Sequence, residues 1–150
     1  MRSRLALVLP AALALILAAC SGGGSGASPA ASGPAGSAAA TRVEVELSDE
    51  MTISPNPIEV PAGVPVTFVV HNSGSIEHEF VIGDEETQAE HEAEMAEGGM
   101  AHADDNAVLV AAGGTEELTF TFAEAGETLA GCHVPGHYPA GMKATIVVGG

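Results

Sequence analysis

The chain has 150 residues, 20 of them acidic and 4 basic, with a formal net charge of -16. That length allows one domain plus appendages. A surface so poor in lysine and arginine excludes nucleic acid and anionic lipid as electrostatic partners. Aromatic residues make up 3% and tryptophan is absent, while 19 glycines and 9 prolines point to many turns. A multispan membrane protein is excluded as well.

Arg2 and Arg4 precede an apolar run over 5–17. The run is shorter than the roughly 20 residues a bilayer span needs and has the length of a signal core. It ends in Leu17-Ala18-Ala19-Cys20, which resembles the bacterial lipobox. The expectation is a signal peptide over 1–19, with Cys20 lipidated as the first mature residue. Residues 21–41 carry no charge and almost no large apolar group. They read as a flexible tether with a reach of roughly 25 Å. The mature chain would keep 2 basic side chains, Arg42 and Lys143, against 20 acidic ones, a net charge of -18. Export and a lipid anchor in the cell envelope follow, facing a periplasm or the outside of a plasma membrane.

From Arg42 the pattern alternates with period two. Val43, Val45 and Leu47 take one face and Glu44 and Glu46 the other, the mark of a half-buried strand. Further short strands are expected over 58–60, 64–71, 78–82, 107–111, 117–122, 128–132 and 143–148. Proline and glycine turns punctuate them. Eight short strands in 42–150 predict an all-β antiparallel sandwich or barrel of Greek-key type.

Residues 84–105 break the pattern. They hold nine carboxylates and good helix formers, with no apolar stripe. An acidic, partly helical insertion is expected there. Within it His91 and Met95 stand at i, i+4, and Met100 and His102 follow. Thioether and imidazole could capture copper transiently, and the plainer reading is a solvated acidic loop.

If Cys20 carries lipid, Cys132 has no partner within the chain. It is then half of an intermolecular disulfide, a reactive thiol or a metal ligand. Its surroundings run Cys132-x4-His137-x4-Met142 on a loop rich in proline and glycine, between two predicted strands. A second imidazole, His78, opens another strand. Two histidines, a cysteine and a weak axial methionine form the ligand set of a blue-copper site. Soft sulfur favours Cu(I), imidazole suits both oxidation states, and a rigid scaffold limits rearrangement between them. His133 follows the cysteine and is expected to be exposed, facing away from the site. Cys132 and His133 point to opposite faces and make a poor nucleophile pair. His71 is expected at a strand end in solvent.

The whole set resembles a cupredoxin of the plastocyanin/azurin superfamily, with a ligand spacing similar to that of auracyanin and rusticyanin. The resemblance covers about 43–148. It implies one type 1 copper held by His78, Cys132 and His137, with Met142 as the axial ligand and His137 as the solvent-facing edge. Four residues depart from the pattern. Glu79 stands where many cupredoxins have asparagine, Leu129-Ala130 replaces an aromatic residue, and His133 follows the cysteine as in multicopper oxidases. Six histidines are too few for a trinuclear oxidase centre, and one cysteine in the loop is too few for a dinuclear site. No enzyme activity and no small-molecule substrate are expected. The resemblance implies a monomeric domain that shuttles single electrons between exported partners. Its acidity calls for a partner with a basic face, such as a c-type cytochrome or an oxidase. The alternative is copper tolerance or delivery on the same fold.

Overall fold

The computed structural model describes residues 41–99 and 104–150. The predicted signal peptide, Cys20 and nearly all of the tether lie outside the described residues, as do Met100 and His102. Among the described residues no helix is long and apolar enough to cross a membrane.

The chain forms β1 (Thr41–Ser48), β2 (Thr52–Ser54), β3 (Ile58–Pro61), β4 (Pro65–Asn72) and β5 (His78–Gly83), then α1 (Glu85–Ala96). It continues through β6 (Ala107–Val110), β7 (Thr115–Thr121), β8 (Gly126–Gly131) and β9 (Lys143–Gly149). All eight expected strands are present; β2, three residues long, is additional. One sheet has the order β2-β1-β4-β7 and the other β3-β9-β8-β5-β6. The expectation of purely antiparallel pairing needs correction, because β1 pairs β4 and β3 pairs β9 in parallel. The chain changes sheets after β2, β3, β4, β6 and β7, which leaves strands far apart in sequence side by side.

The core lies between the sheets. Val45, Leu47, Phe68 and Val70 meet Ile58, Phe80, Ile82 and Ile146, all buried. Phe68 packs its ring 5.5 Å from Phe80 in a tilted contact and 6.3 Å from Phe122 edge-on, the latter an arrangement that aromatic quadrupoles favour. The remaining chemistry rests on β5, which is buried on both faces. Its inward residues Phe80 and Ile82 join the core, while Glu79 and Val81 lie beneath α1.

Helix α1 starts at an Asp84 cap whose carboxylate accepts from Thr87 N at 2.9 Å and Thr87 Oγ1 at 2.8 Å. Glu85 and Glu86 in its first turn suit the helix dipole. The expectation of a solvated segment is corrected here. Gln88, His91 and Met95, at i, i+3 and i+7, are buried and lay one face of the helix on the sheet. That face is largely polar, so no apolar stripe announces it.

Candidate metal centre

Strand alternation aims the site. In β8 and the two residues after it, Ala130 and Cys132 turn into the core, while Gly131 and His133 turn outward to α1. Beyond β8, residues 132–142 fold back on themselves. Cys132 N donates to Met142 O at 3.1 Å, and Met142 N donates to His137 O at 3.1 Å. Three of the four expected ligands are therefore tied by backbone before any side chain is considered. The fourth, His78, is brought alongside by β5.

The structure brings His78, Cys132 and His137 together as one cluster of buried metal-ligating side chains. His78 Nδ1 lies 3.2 Å from His137 Nδ1 and 3.8 Å from Cys132 Sγ, and His137 Nδ1 lies 3.4 Å from the same sulfur. In a triangle with sides of 3.2, 3.4 and 3.8 Å, the point equidistant from the corners is about 2.0 Å from each. That spacing matches ordinary metal–imidazole bonds, with a thiolate bond slightly longer. One soft sulfur with two imidazoles is also the donor chemistry of copper. Met142 is fully buried at the start of the next strand, tied through its backbone to both Cys132 and His137.

The protonation states suit a metal. Burial pushes the Cys132 thiol up to about 11, opposed by the backbone N–H groups of Glu79 and Val134. Glu79 N donates to Cys132 Sγ at 3.3 Å and is positioned to hold a thiolate. Burial, the leading cause for both imidazoles, lowers His78 and His137, with His78 adding to the effect on His137. Both rings are neutral at pH 7 and free to coordinate.

Around this cluster α1 closes one side. The Glu79 side chain is fully buried, with Oε1 3.1 Å from His91 Nε2 and Oε2 without a hydrogen-bond partner. Gln88 Nε2 donates to Val81 O at 3.0 Å, which turns Gln88 Oε1 to His133 Nε2 at 2.6 Å. His133 Nδ1 meets Glu92 Oε2 at 2.8 Å, and its ring stacks on Tyr138 at 4.5 Å. His133 is thus fully buried, not exposed as the sequence suggests, although it does face away from Cys132. The outward direction follows from strand alternation; the cover comes from the helix. Gly131 admits that cover, since a Cβ there would lie 2.5 Å from Gln88 Oε1 and 2.7 Å from the Tyr138 ring.

His91 and Met95 do share a helix face, and it is turned onto the domain. The two segment residues expected to join them, Met100 and His102, lie outside the described residues. His71 is exposed, between Glu44 Oε2 at 2.9 Å and Thr115 Oγ1 at 2.8 Å, and far in role from the metal cluster. Sequence reasoning missed Gln88, whose i, i+3, i+7 spacing with His91 and Met95 was the available signal.

A β-sandwich carrying a His–Cys–His cluster, with its cysteine and one histidine on a folded-back loop and the other histidine on a neighbouring strand, defines a cupredoxin. Residues 39–149 match the profile of the copper binding proteins of the plastocyanin/azurin family, and the chain belongs to that family. It is 45% identical over 107 residues to the copper-resistant cuproprotein CopI of Rubrivivax gelatinosus, covering 71% of this chain and 65% of that protein. The chain thus spans somewhat less than two thirds of that relative. It is 39% identical over 176 aligned positions to CopI of Pseudomonas aeruginosa, covering 94% and 96% of the two. Reduced auracyanin from Roseiflexus castenholzii has a similar structure, with a TM-score of 0.66 and 28% identity over 74% of this chain and 98% of that one. Copper is the metal that the family and the cluster support.

Proposed function

We propose that this protein holds one copper ion through His78, Cys132 and His137, with the Met142 thioether as a weaker fourth donor, and that the site exchanges single electrons. The observation that carries the reading is the buried triangle of donor atoms, 3.2 to 3.8 Å on a side, with Cys132 and His137 tied by the backbone of one loop and His78 set beside them by β5. Copper, when bound, supplies a one-electron couple. The chain's own residues keep water out, hold both imidazoles neutral and offer an N–H to the thiolate. Ligands held in place by a rigid scaffold would let the ion change oxidation state with little reorganisation.

Two physiological roles use such a centre. Copper tolerance is supported by the relatives, three of which bear the name copper-resistant cuproprotein. Carriage of electrons between exported proteins is supported by the acidity of the chain, which suits a partner with a basic face, such as a c-type cytochrome or an oxidase. We place the domain outside the cytoplasm on the lipid anchor at Cys20, as a monomer and without enzyme activity of its own.

The test begins with the full chain, one equivalent of Cu(II), visible absorption and EPR. An intense red-region band with narrow copper hyperfine splitting, both lost in Cys132→Ser, is expected. A pale complex unaffected by Cys132→Ser defeats the ligand assignment. Deletion of the gene then separates the roles. Copper sensitivity restored by wild type and not by Cys132→Ser supports tolerance through this centre. Normal copper growth, with partner reduction that slows as salt rises, supports electron carriage.

A further inference from the structure

His78 presents Nδ1 to the cluster, so its proton sits on Nε2, the other ring nitrogen. That atom is buried and has no partner within hydrogen-bond distance. Asp49 Oδ1 stands 3.6 Å away, on the turn between β1 and β2. We propose that Asp49 is a positioning residue for the metal centre, its carboxylate orienting His78 through Nε2 and placing a negative charge behind that ligand.

The carboxylate is held by a purpose-shaped turn. Ser75 N donates to Asp49 Oδ1 at 3.0 Å and to Oδ2 at 2.9 Å, and Ser75 Oγ donates to Oδ2 at 2.7 Å. Asn72 fixes the same turn. Its side chain donates to Ile76 O at 2.7 Å and Val110 O at 3.0 Å, and accepts from Gly74 N at 2.9 Å. Residue 74 has no room for a side chain, because a Cβ there would sit 2.1 Å from Asp49 Oδ1. The glycine leaves the gap through which the carboxylate reaches His78.

The charges agree with the geometry. The Ser75 hydrogen bonds hold the Asp49 carboxyl below its ordinary range, so it is anionic at neutral pH. Burial lowers His78 and Asp49 opposes that effect. A carboxylate behind a metal-bound imidazole raises the basicity of the ligand and fixes its ring. Its charge favours the more positive ion, Cu(II), over Cu(I). Asp49 thereby sets the balance between oxidation states from a position 29 residues upstream of the ligand it serves.

The test compares wild type with Asp49→Asn and Gly74→Ala in the full chain, measuring Cu(II) and Cu(I) affinity against competing chelators and the reduction potential by voltammetry. Glu50→Gln, an equal charge loss on the neighbouring exposed residue, is the control. Asp49→Asn should lower Cu(II) affinity about tenfold and Cu(I) affinity little. A tenfold change in that ratio raises the potential by about 59 mV. Gly74→Ala keeps the charge and displaces it, and should move the potential in the same direction by a smaller step. Glu50→Gln should leave it in place. Equal losses of Cu(I) and Cu(II) affinity with an unchanged potential would overturn the proposal, since Asp49 would then only brace the turn. A shift shared by Glu50→Gln would overturn it too. Should Asp49→Asn fail to fold, Gly74→Ala decides: no change in potential rejects the role.

Discussion

Copper binding should release one proton from Cys132, and that release fixes how affinity varies with pH. Burial places the thiol at about 11. At pH 7 about one molecule in 10,000 therefore carries the thiolate, and forming it costs about 5 kcal/mol of the metal's intrinsic affinity. His78 and His137 are lowered by burial and add no protons to the exchange above pH 7. One proton per ion is displaced from pH 7 to about 10, and apparent affinity rises about tenfold per unit. Well below pH 6 the slope steepens as protons compete for the imidazoles too. Calorimetric titration with copper in buffers of different ionisation enthalpy counts the protons directly. Wild type should release about one at pH 8, and Cys132→Ser about none. A wild-type affinity that is flat between pH 7 and 9, with no proton released, would refute the reasoning. The buried sulfur would then either be ionised already or not bind.

Three further outcomes are expected. The metal-free protein should be most stable below about pH 9: a thiol raised on folding contributes stability that is lost as pH climbs through its folded value, about 3 kcal/mol between pH 9 and 11. Denaturant melts of wild type against Cys132→Ser, which should show no such loss, check the sign. Gly131→Ala should cost about 1 to 3 kcal/mol, because the new Cβ meets Gln88 Oε1 and the Tyr138 ring at 2.5 and 2.7 Å. Calorimetric melting measures it, and a neutral result would mean that the helix cover yields freely. Phe68→Ala should cost about 3 to 5 kcal/mol from the centre of the core. The copper spectrum of the folded fraction should stay unchanged; an altered spectrum would show that the core and the site are not independent.

Sequence periodicity was a good guide where side chains alternate. Val43, Val45 and Leu47 reveal β1, and the same rule sends Cys132 inward and His133 outward. The spacing of Cys132, His137 and Met142 put all three on one proline- and glycine-rich loop, and the structure adds that the loop folds back on itself. What escaped depends on contacts between distant segments. Parallel pairing of β1 with β4 leaves no local mark, because period two is the same for either direction. The docking of α1 escaped because its buried face is built from Gln88, His91 and Met95, and a hydrogen-bonded polar face carries no apolar stripe. For the same reason His133 reads as exposed until Gln88, Glu92 and Tyr138 are seen around it. Asp49 and His78 meet only after β1 and β5 have been placed in different sheets, so nothing near either residue announces the pair.

The cover that α1 and the sandwich draw over the ligands has a consequence for traffic. His78, Cys132 and Met142 are fully enclosed, and His137, 8% exposed, is the one expected ligand that reaches the surface. Among the described residues, the cluster therefore meets solvent at His137. An ion being loaded and a protein arriving to trade an electron would stand on the same threshold, and they can do so only in turn. Occupancy of that threshold by one visitor would block the other, so under the proposed electron exchange the wall behind the site would make loading and turnover compete without any moving part.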